Sequence, residues 1–163
     1  MGPRATHLIT TYDEQSGLVP IHNVKMSEVR LQAEVLRMKF IGVPLPTNCP
    51  NTMYIEQFKK ACSGFEAIVF GDLFLADIRE FREQSFPEWS LEFPLWGRDT
   101  SELAREMIAC GLQASVTAAQ DAAWIGRKFD DRFLSDLPSG TDYCGENGEF
   151  HTWVEPECLV SFR

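Results

Sequence analysis

The sequence predicts an α/β fold, a mostly parallel sheet flanked by helices, on three observations. The β-branched run His7-Leu8-Ile9-Thr10-Thr11-Tyr12 and the apolar run Ala67-Ile68-Val69-Phe70 both read as strands. Amphipathic stretches of helical period separate such runs along the whole chain, the pattern that generates βαβ crossovers. No repeat, low-complexity tract or linker divides it, so residues 1–163 are expected to form one domain.

The elements follow in order. After the strand at His7–Tyr12, residues from about Ser27 to Met38 place Val29, Ala33 and Leu36 on one helical face. Phe40–Leu45 is a second strand, bounded by Pro44 and Pro46. A helix over Met53–Cys62 turns Ile55, Phe58 and Cys62 inward. The uninterrupted apolarity of Ala67–Phe70 predicts a strand buried on both faces, and a helix with Leu75, Ile78 and Phe81 or Arg82 in register follows Gly71-Asp72. Leu91–Leu95 is a weaker strand. The next helix is capped by Asp99 or Thr100, with Glu102 placed to complete a box with Asp99, and Gly111 ends it. Ala114–Ala118 is a strand, and a short helix near Asp131–Leu137 stops at Pro138. Glu149–Val154 alternates as a strand, with Leu159–Phe162 able to pair with it across Pro156 as a small C-terminal hairpin.

Charge narrows the function. Lys+Arg 15 against Asp+Glu 24 gives a net charge of −9, and the densest basic groups are the pairs Lys59-Lys60 and Arg127-Lys128. Such a surface repels a phosphodiester backbone, so nucleic acid is not an expected partner. Five cysteines form no CxxC and no Cys/His zinc spacing, which predicts reduced thiols and no structural metal. Cys144 borders an acidic segment but has no base beside it, so it reads as a small apolar core residue. No secretory signal and no membrane span is visible, and the chain is expected to be cytoplasmic; Met1–Thr6 matches a myristoylation pattern only formally, since Pro3 stiffens it.

In a parallel sheet, ligands sit beyond the carboxyl ends of the strands, and this rule selects the candidates. Gly71-Asp72 delivers a carboxylate to that edge, for a Mg²⁺ or a nucleotide hydroxyl, or to cap the next helix. Trp96 can stack on a ligand ring and Arg98, beside a helix N-terminus, can fork onto carboxylate or phosphate. In Gly145-Glu146-Asn147-Gly148-Glu149-Phe150-His151-Thr152, alternation puts Glu149, His151 and Trp153 on one face. With Glu146 across the turn, two carboxylates and an imidazole can bind a cation, shuttle protons or ligate a metal. Asn147-Gly148 is by itself a turn signal. Calcium-loop spacing counted from Asp142 fails, because Gly148 is not at the sixth position. His22, in the loop after the first strand, can touch a base or phosphate or be purely structural.

Phe70-Gly71-Asp72, then Pro94-Leu95-Trp96-Gly97-Arg98-Asp99-Thr100 with Glu102-Leu103 and Glu106-Met107-Ile108, then Gly145 to Thr152, together resemble the diphthine–ammonia ligase family of PP-loop ATP pyrophosphatases. The similarity runs from about residue 6 to 155. It implies a Rossmann-like PP-loop fold and an AMP-forming reaction using ATP with Mg²⁺. In that reaction a carboxylate attacks the α-phosphate, pyrophosphate leaves, and ammonia displaces AMP to form an amide. In those ligases the carboxylate belongs to a modified histidine of a translation elongation factor. The resemblance implies that Glu146, Glu149 and Thr152 line the acceptor side with Trp96 and Arg98 nearby, and that Gly71 lies close to the nucleotide; joined to the reading of the residues, this makes Glu146 and Glu149 the expected catalytic pair, Asn147, Gly148 and His151 further acceptor contacts, and His22 and Asp72 nucleotide contacts.

The chain departs from the family pattern at three places. Asn147 replaces the first glycine of Glu-Gly-Gly-Glu, and His151 fills the following polar place. Asp72-Leu73-Phe74-Leu75-Ala76-Asp77 replaces a Ser/Tyr/Gln-containing stretch, as in a bacterial branch. The Ser-Gly-Gly-Lys-Asp-Ser loop and the strand before it, which is central in the family's sheet, have no counterpart. Neighbouring strands are then expected to show unpaired backbone groups, to re-pair, or to be completed by a partner, and a misassigned start codon would explain the gap. The expected function is an amide ligase of which this chain carries mainly the acceptor side. The alternatives are a catalytically inactive binding module or subunit and, further off, a metal-dependent hydrolase built on Glu146, Glu149 and His151. Its partners are a nucleotide and a carboxylate acceptor, and homo-oligomerisation is open to it.

Overall fold

The computed structural model describes residues 5–162, so the Met1–Arg4 part of the myristoylation-like segment lies outside the described residues. Strand β1 (His7–Asp13) leads into a hairpin of β2 (Leu18–Val19) and β3 (Val24–Lys25), then helix α1 (Met26–Val35) and β4 (Lys39–Leu45). Next come α2 (Asn51–Ala61), β5 (Ala67–Val69), α3 (Ala76–Ser85), β6 (Ser90–Glu92) and α4 (Thr100–Ala109). The chain closes with β7 (Ala114–Ala119), a 3-10 turn at Ala122–Trp124, α5 (Asp131–Asp136), β8 (Phe150–Val154) and a 3-10 helix at Pro156–Phe162.

The fold is mixed α/β, with its strands in pairs rather than in one sheet. β1 runs parallel to β4 with His7 opposite Lys39, and β5 runs parallel to β6 with Ala67 opposite Ser90. β2 and β3, and β7 and β8, are antiparallel pairs. β1 and β5 share no hydrogen bond, so the mostly parallel sheet predicted from alternation is broken between them.

Two apolar cores hold these pairs. Phe58, Cys62, Ile68, Phe70 and Phe86 form one, packed from α2 and the β5–β6 pair; Ala104, Val116, Phe129, Phe133, Leu134 and Phe150 form the other, around β7, β8, α4 and α5. Helix α4 starts as its sequence dictates. Asp99 accepts the Glu102 amide at 2.9 Å and the Ser101 hydroxyl at 2.7 Å, and Gly111 turns the chain out at φ +86°.

Two strand expectations are corrected. β5 is not buried on both faces: Ile68 and Phe70 enter the core, whereas Ala67 is exposed and Val69 keeps 50% of its surface. A helix layer covers only one side of this strand, so an apolar run of four is a one-faced strand here. The segment Leu159–Phe162 does not pair with β8. It belongs to the 3-10 helix, and β8 takes β7 as its partner instead, with a bulge at Val116/Ala118. Pro156 begins that helix, where its missing N–H is not needed.

Candidate functional site

The loop between α5 and β8 is wound around one carboxylate. Asp142 Oδ1 accepts the amides of Cys144 and Glu146, each at 3.0 Å, and Oδ2 accepts the Thr100 hydroxyl from the first turn of α4. Gly145 (φ +71°) and Gly148 (φ +80°) close the turn, with the Gly148 amide donating to the Gly145 carbonyl at 2.9 Å. At Gly145 no other residue fits, since a Cβ would stand 2.4 Å from the Phe150 carbonyl oxygen.

This loop presents the two predicted glutamates. Glu146 Oε1 accepts the Leu73 amide at 2.8 Å, tying the loop to the segment that follows β5. Burial, with Asp72 and Asp142 nearby, raises the Glu146 carboxyl above its usual range against the pull of the Leu73 and Phe74 amides. Glu149 Oε1 accepts the Asp142 amide at 3.0 Å and the Asn147 side-chain amide at 3.1 Å. Its Oε2 is buried with no hydrogen-bond partner, and so is Trp153 Nε1 on the same face of β8. Burial pushes the neighbouring Cys144 thiol up to about 12, Asp142 and Glu146 adding to it, which agrees with a core role.

The structure therefore brings together Asp72-Leu73, Thr100, Asp142, Glu146, Asn147 and Glu149 at the junction of three segments. Gly148 closes the turn of the same loop, but the remaining predicted residues are not brought to that junction. Arg98 is exposed and turned onto Glu106 of α4, which raises its pKa. The Trp96 ring lies under the Arg79 guanidinium, 4.7 Å from its centroid. Gly71 is exposed and touches nothing a Cβ would meet. Asp72 does not cap α3; its Oδ2 pairs with Arg82 Nε at 3.4 Å, and Arg82 also donates to Tyr54 and covers the Phe70 ring. Thr152 sits mid-strand in β8 opposite Val116.

His151 leaves the glutamates for His22. Their rings meet edge to face with centroids 4.6 Å apart, and Thr117 bridges below, donating to the His22 carbonyl at 2.7 Å and reaching the His151 carbonyl at 3.3 Å. Burial, and for His22 the charge of His151, hold both imidazoles below the usual histidine range. A depressed histidine pKa means that the unfolded chain binds protons first as pH falls. The stability from this contact is thus complete above about pH 6.5 and is lost as pH drops through the folded pKa values. In a pH series of urea melts we expect His22→Ala to flatten that fall below pH 6.5; a wild-type and variant curve of the same shape would rule the contact out.

No protein-family model matches the chain, and no curated protein matches it. Geometry carries the reading instead. Cavities of about 750 Å³ and about 540 Å³ flank β1, and of the predicted site residues only His22 lines either. In the second, Asp13 accepts the Thr47 hydroxyl at 2.6 Å and the amide and hydroxyl of Ser16, each at 2.8 Å, which hold its carboxyl down to about 2. Asp13, Thr100 and Asp142 went unselected from sequence. A single Asp before a Gln-Ser-Gly turn, or before Tyr-Cys-Gly, is a turn signal whose long-range hydroxyl partner no local pattern announces.

Proposed function

We propose that the Gly145–Glu149 loop is the acceptor side of an amide ligase of the diphthine–ammonia type, on a PP-loop-like α/β frame. The observation that supports this most is the buried, unpartnered Glu149 Oε2. A desolvated carboxylate oxygen without a donor costs about 1–3 kcal/mol or more, and a bound cationic group would relieve it. Asn147 and the Asp142 amide fix the other oxygen, so the free one has a set direction. Glu146, held by Leu73 and with its carboxyl raised above the usual range by burial, can hand a proton to the same ligand or take one.

The residues present do not fit a triphosphate with Mg²⁺. Arg98 and Arg82 already neutralise Glu106 and Asp72. Among the described residues no group of three His, Cys, Asp or Glu side chains is placed to hold a metal ion. The acidic junction would repel phosphates, so adenylation is assigned no residue of this chain. The same observation favours a second reading, a binding module that keeps the acceptor pocket without turning over ATP.

Calorimetry with glycine betaine, a trimethylammonium carboxylate, tests the acceptor pocket, and AMP release from ATP and Mg²⁺ tests the chemistry. We expect millimolar binding that weakens roughly tenfold in Glu149→Gln, about 1.4 kcal/mol, and no AMP above the uncatalysed background. Binding indifferent to Glu149→Gln would remove the pocket assignment. AMP at enzyme-like rates would remove the binding-module reading and give the chain a phosphate site.

A further inference from the structure

The tip of the β2–β3 hairpin, residues 20–23, is a partition. Val19, Pro20 and Ile21 line both cavities that flank β1, the one of about 750 Å³ and the one of about 540 Å³. His22 lines the first and Asn23 the second. The position of this tip therefore decides whether the two spaces are separate or run together.

The tip is held against its own backbone preference. The His22 amide donates to the Pro20 carbonyl at 2.7 Å across Ile21, whose φ is +69°, and Asn23 follows at +54°. A three-residue turn of that hand is rare and strained, more so with a β-branched side chain at its centre. Strain of this kind persists only where neighbours impose it. The Ile21 side chain, 75% exposed, is not what imposes it. Beyond the hairpin's own ladder, the hold comes from the β7–β8 pair. The His22 ring meets the His151 ring edge to face at 4.6 Å, and the Thr117 hydroxyl donates to the His22 carbonyl at 2.7 Å. Thr117 is the residue that the β7 bulge leaves out of register, and bulges re-aim side chains in this way.

Part of that hold is titratable. The charged and titratable groups around the two rings come from three directions. Glu149 precedes His151 on the same face of β8, Lys25 and Glu28 stand at the foot of the hairpin, and His7, Arg82 and Glu92 lie elsewhere on the first cavity. Among the described residues none of them forms an ion pair with either ring. Glu28 and Glu149 already accept the Lys25 and Asp142 amides. Two imidazolium rings in this contact would thus repel each other with no counter-ion between them, and burial disfavours the charged form of both.

We propose that the β2–β3 tip is a gate between the two cavities, latched at neutral pH by His22 on His151 and Thr117, and released when the two rings take up protons from solvent. The strained turn at Ile21 relaxes on release, so opening needs no further ligand. The proposal stands apart from the ligase reading, because the Glu146/Glu149 junction takes no part in it.

Amide hydrogen exchange on the ¹⁵N-labelled chain, corrected for the intrinsic rate at each pH, tests it. The Asn23 amide, bonded to the Val19 carbonyl at 3.1 Å, reports the tip. The Val116 and Phe70 amides, bonded to the Arg127 and Glu92 carbonyls, report the two cores. We expect Asn23 protection to fall at least tenfold between about pH 7.5 and about pH 5.5, while Val116 and Phe70 keep theirs. In the double variant His22→Gln/His151→Gln the Asn23 fall should vanish. Over the same range a neutral nitroxide in solution should broaden the Ile9 methyl signals, on the first cavity, at least threefold more in the wild type and not in the double variant. No fall at Asn23, a fall shared by Val116 and Phe70, or one that survives in the double variant would each overturn the proposal. So would a tip that opens without any change at Ile9, since it would then gate nothing.

Discussion

Gly145→Ala is expected to destabilise the chain by about 3–4 kcal/mol, among the larger effects a single substitution has. Two costs add. The φ of +71° belongs to the left-handed region, which charges a side chain about 1–2 kcal/mol. The new methyl would also stand 2.4 Å from the Phe150 carbonyl oxygen, a backbone atom of a residue 1% exposed in the second core. Neither the loop nor β8 can yield without disturbing Phe133 and Phe150, whose rings pack edge to face at 5.1 Å. Gly148→Ala is the control, with a φ of +80° but open space around it, and should cost only about 1 kcal/mol. Thermal melts should place Gly145→Ala about 10 °C below the wild type. Equal midpoints for the two variants would show that the clash does not exist.

Asp142→Ala should cost about 3 kcal/mol. It strips the acceptor from two amides and a hydroxyl at once, and hydrogen bonds to a charged group contribute about 1.5–3 kcal/mol each before non-additivity. Part of the loss is returned, because the Asp142 carboxylate also repels the charged form of Glu146. The informative measurement is a double-mutant cycle with Thr100→Val in urea. A coupling of about 1–2 kcal/mol is expected if the hydroxyl ties α4 to the loop; additive losses would mean that it does not.

The legible part of this fold is the part governed by short-range rules. β1, β4 and α2 stand within a residue or two of the spans that periodicity indicates, α1 ends three residues early, and Asp99 caps α4 as its spacing to Glu102 requires. The failures share a cause. Ala67–Phe70 looks doubly buried because composition records apolarity and not which layers arrive to cover it. Phe162 and its neighbours look like a strand because nothing local says that β8 is already taken by β7. At the site, the loop glycines and both glutamates were found, since turn chemistry and charge are local. Arg98 and His151 read as ligand contacts in the sequence, yet each has a neighbour of its own in Glu106 and His22. Such pairings are decided by the third dimension, and so is the bond that joins Asp142 to Thr100, 42 residues away in sequence.

Helix α3 buries none of its residues, yet it sits on the molecule through Arg79, whose guanidinium covers Phe93 and Trp96 at 4.7 Å each, and Arg82 over Phe70. A helix fastened by two cations on aromatic faces and by the Phe81 ring against Tyr54, with none of its side chains fully buried, detaches at less cost than its neighbours and as a unit. Since Arg82 also grips Asp72, the stretch carrying the Leu73 amide to Glu146 would leave with it. The α-helix with the fewest buried anchors is thereby the one that can unclasp the acidic junction.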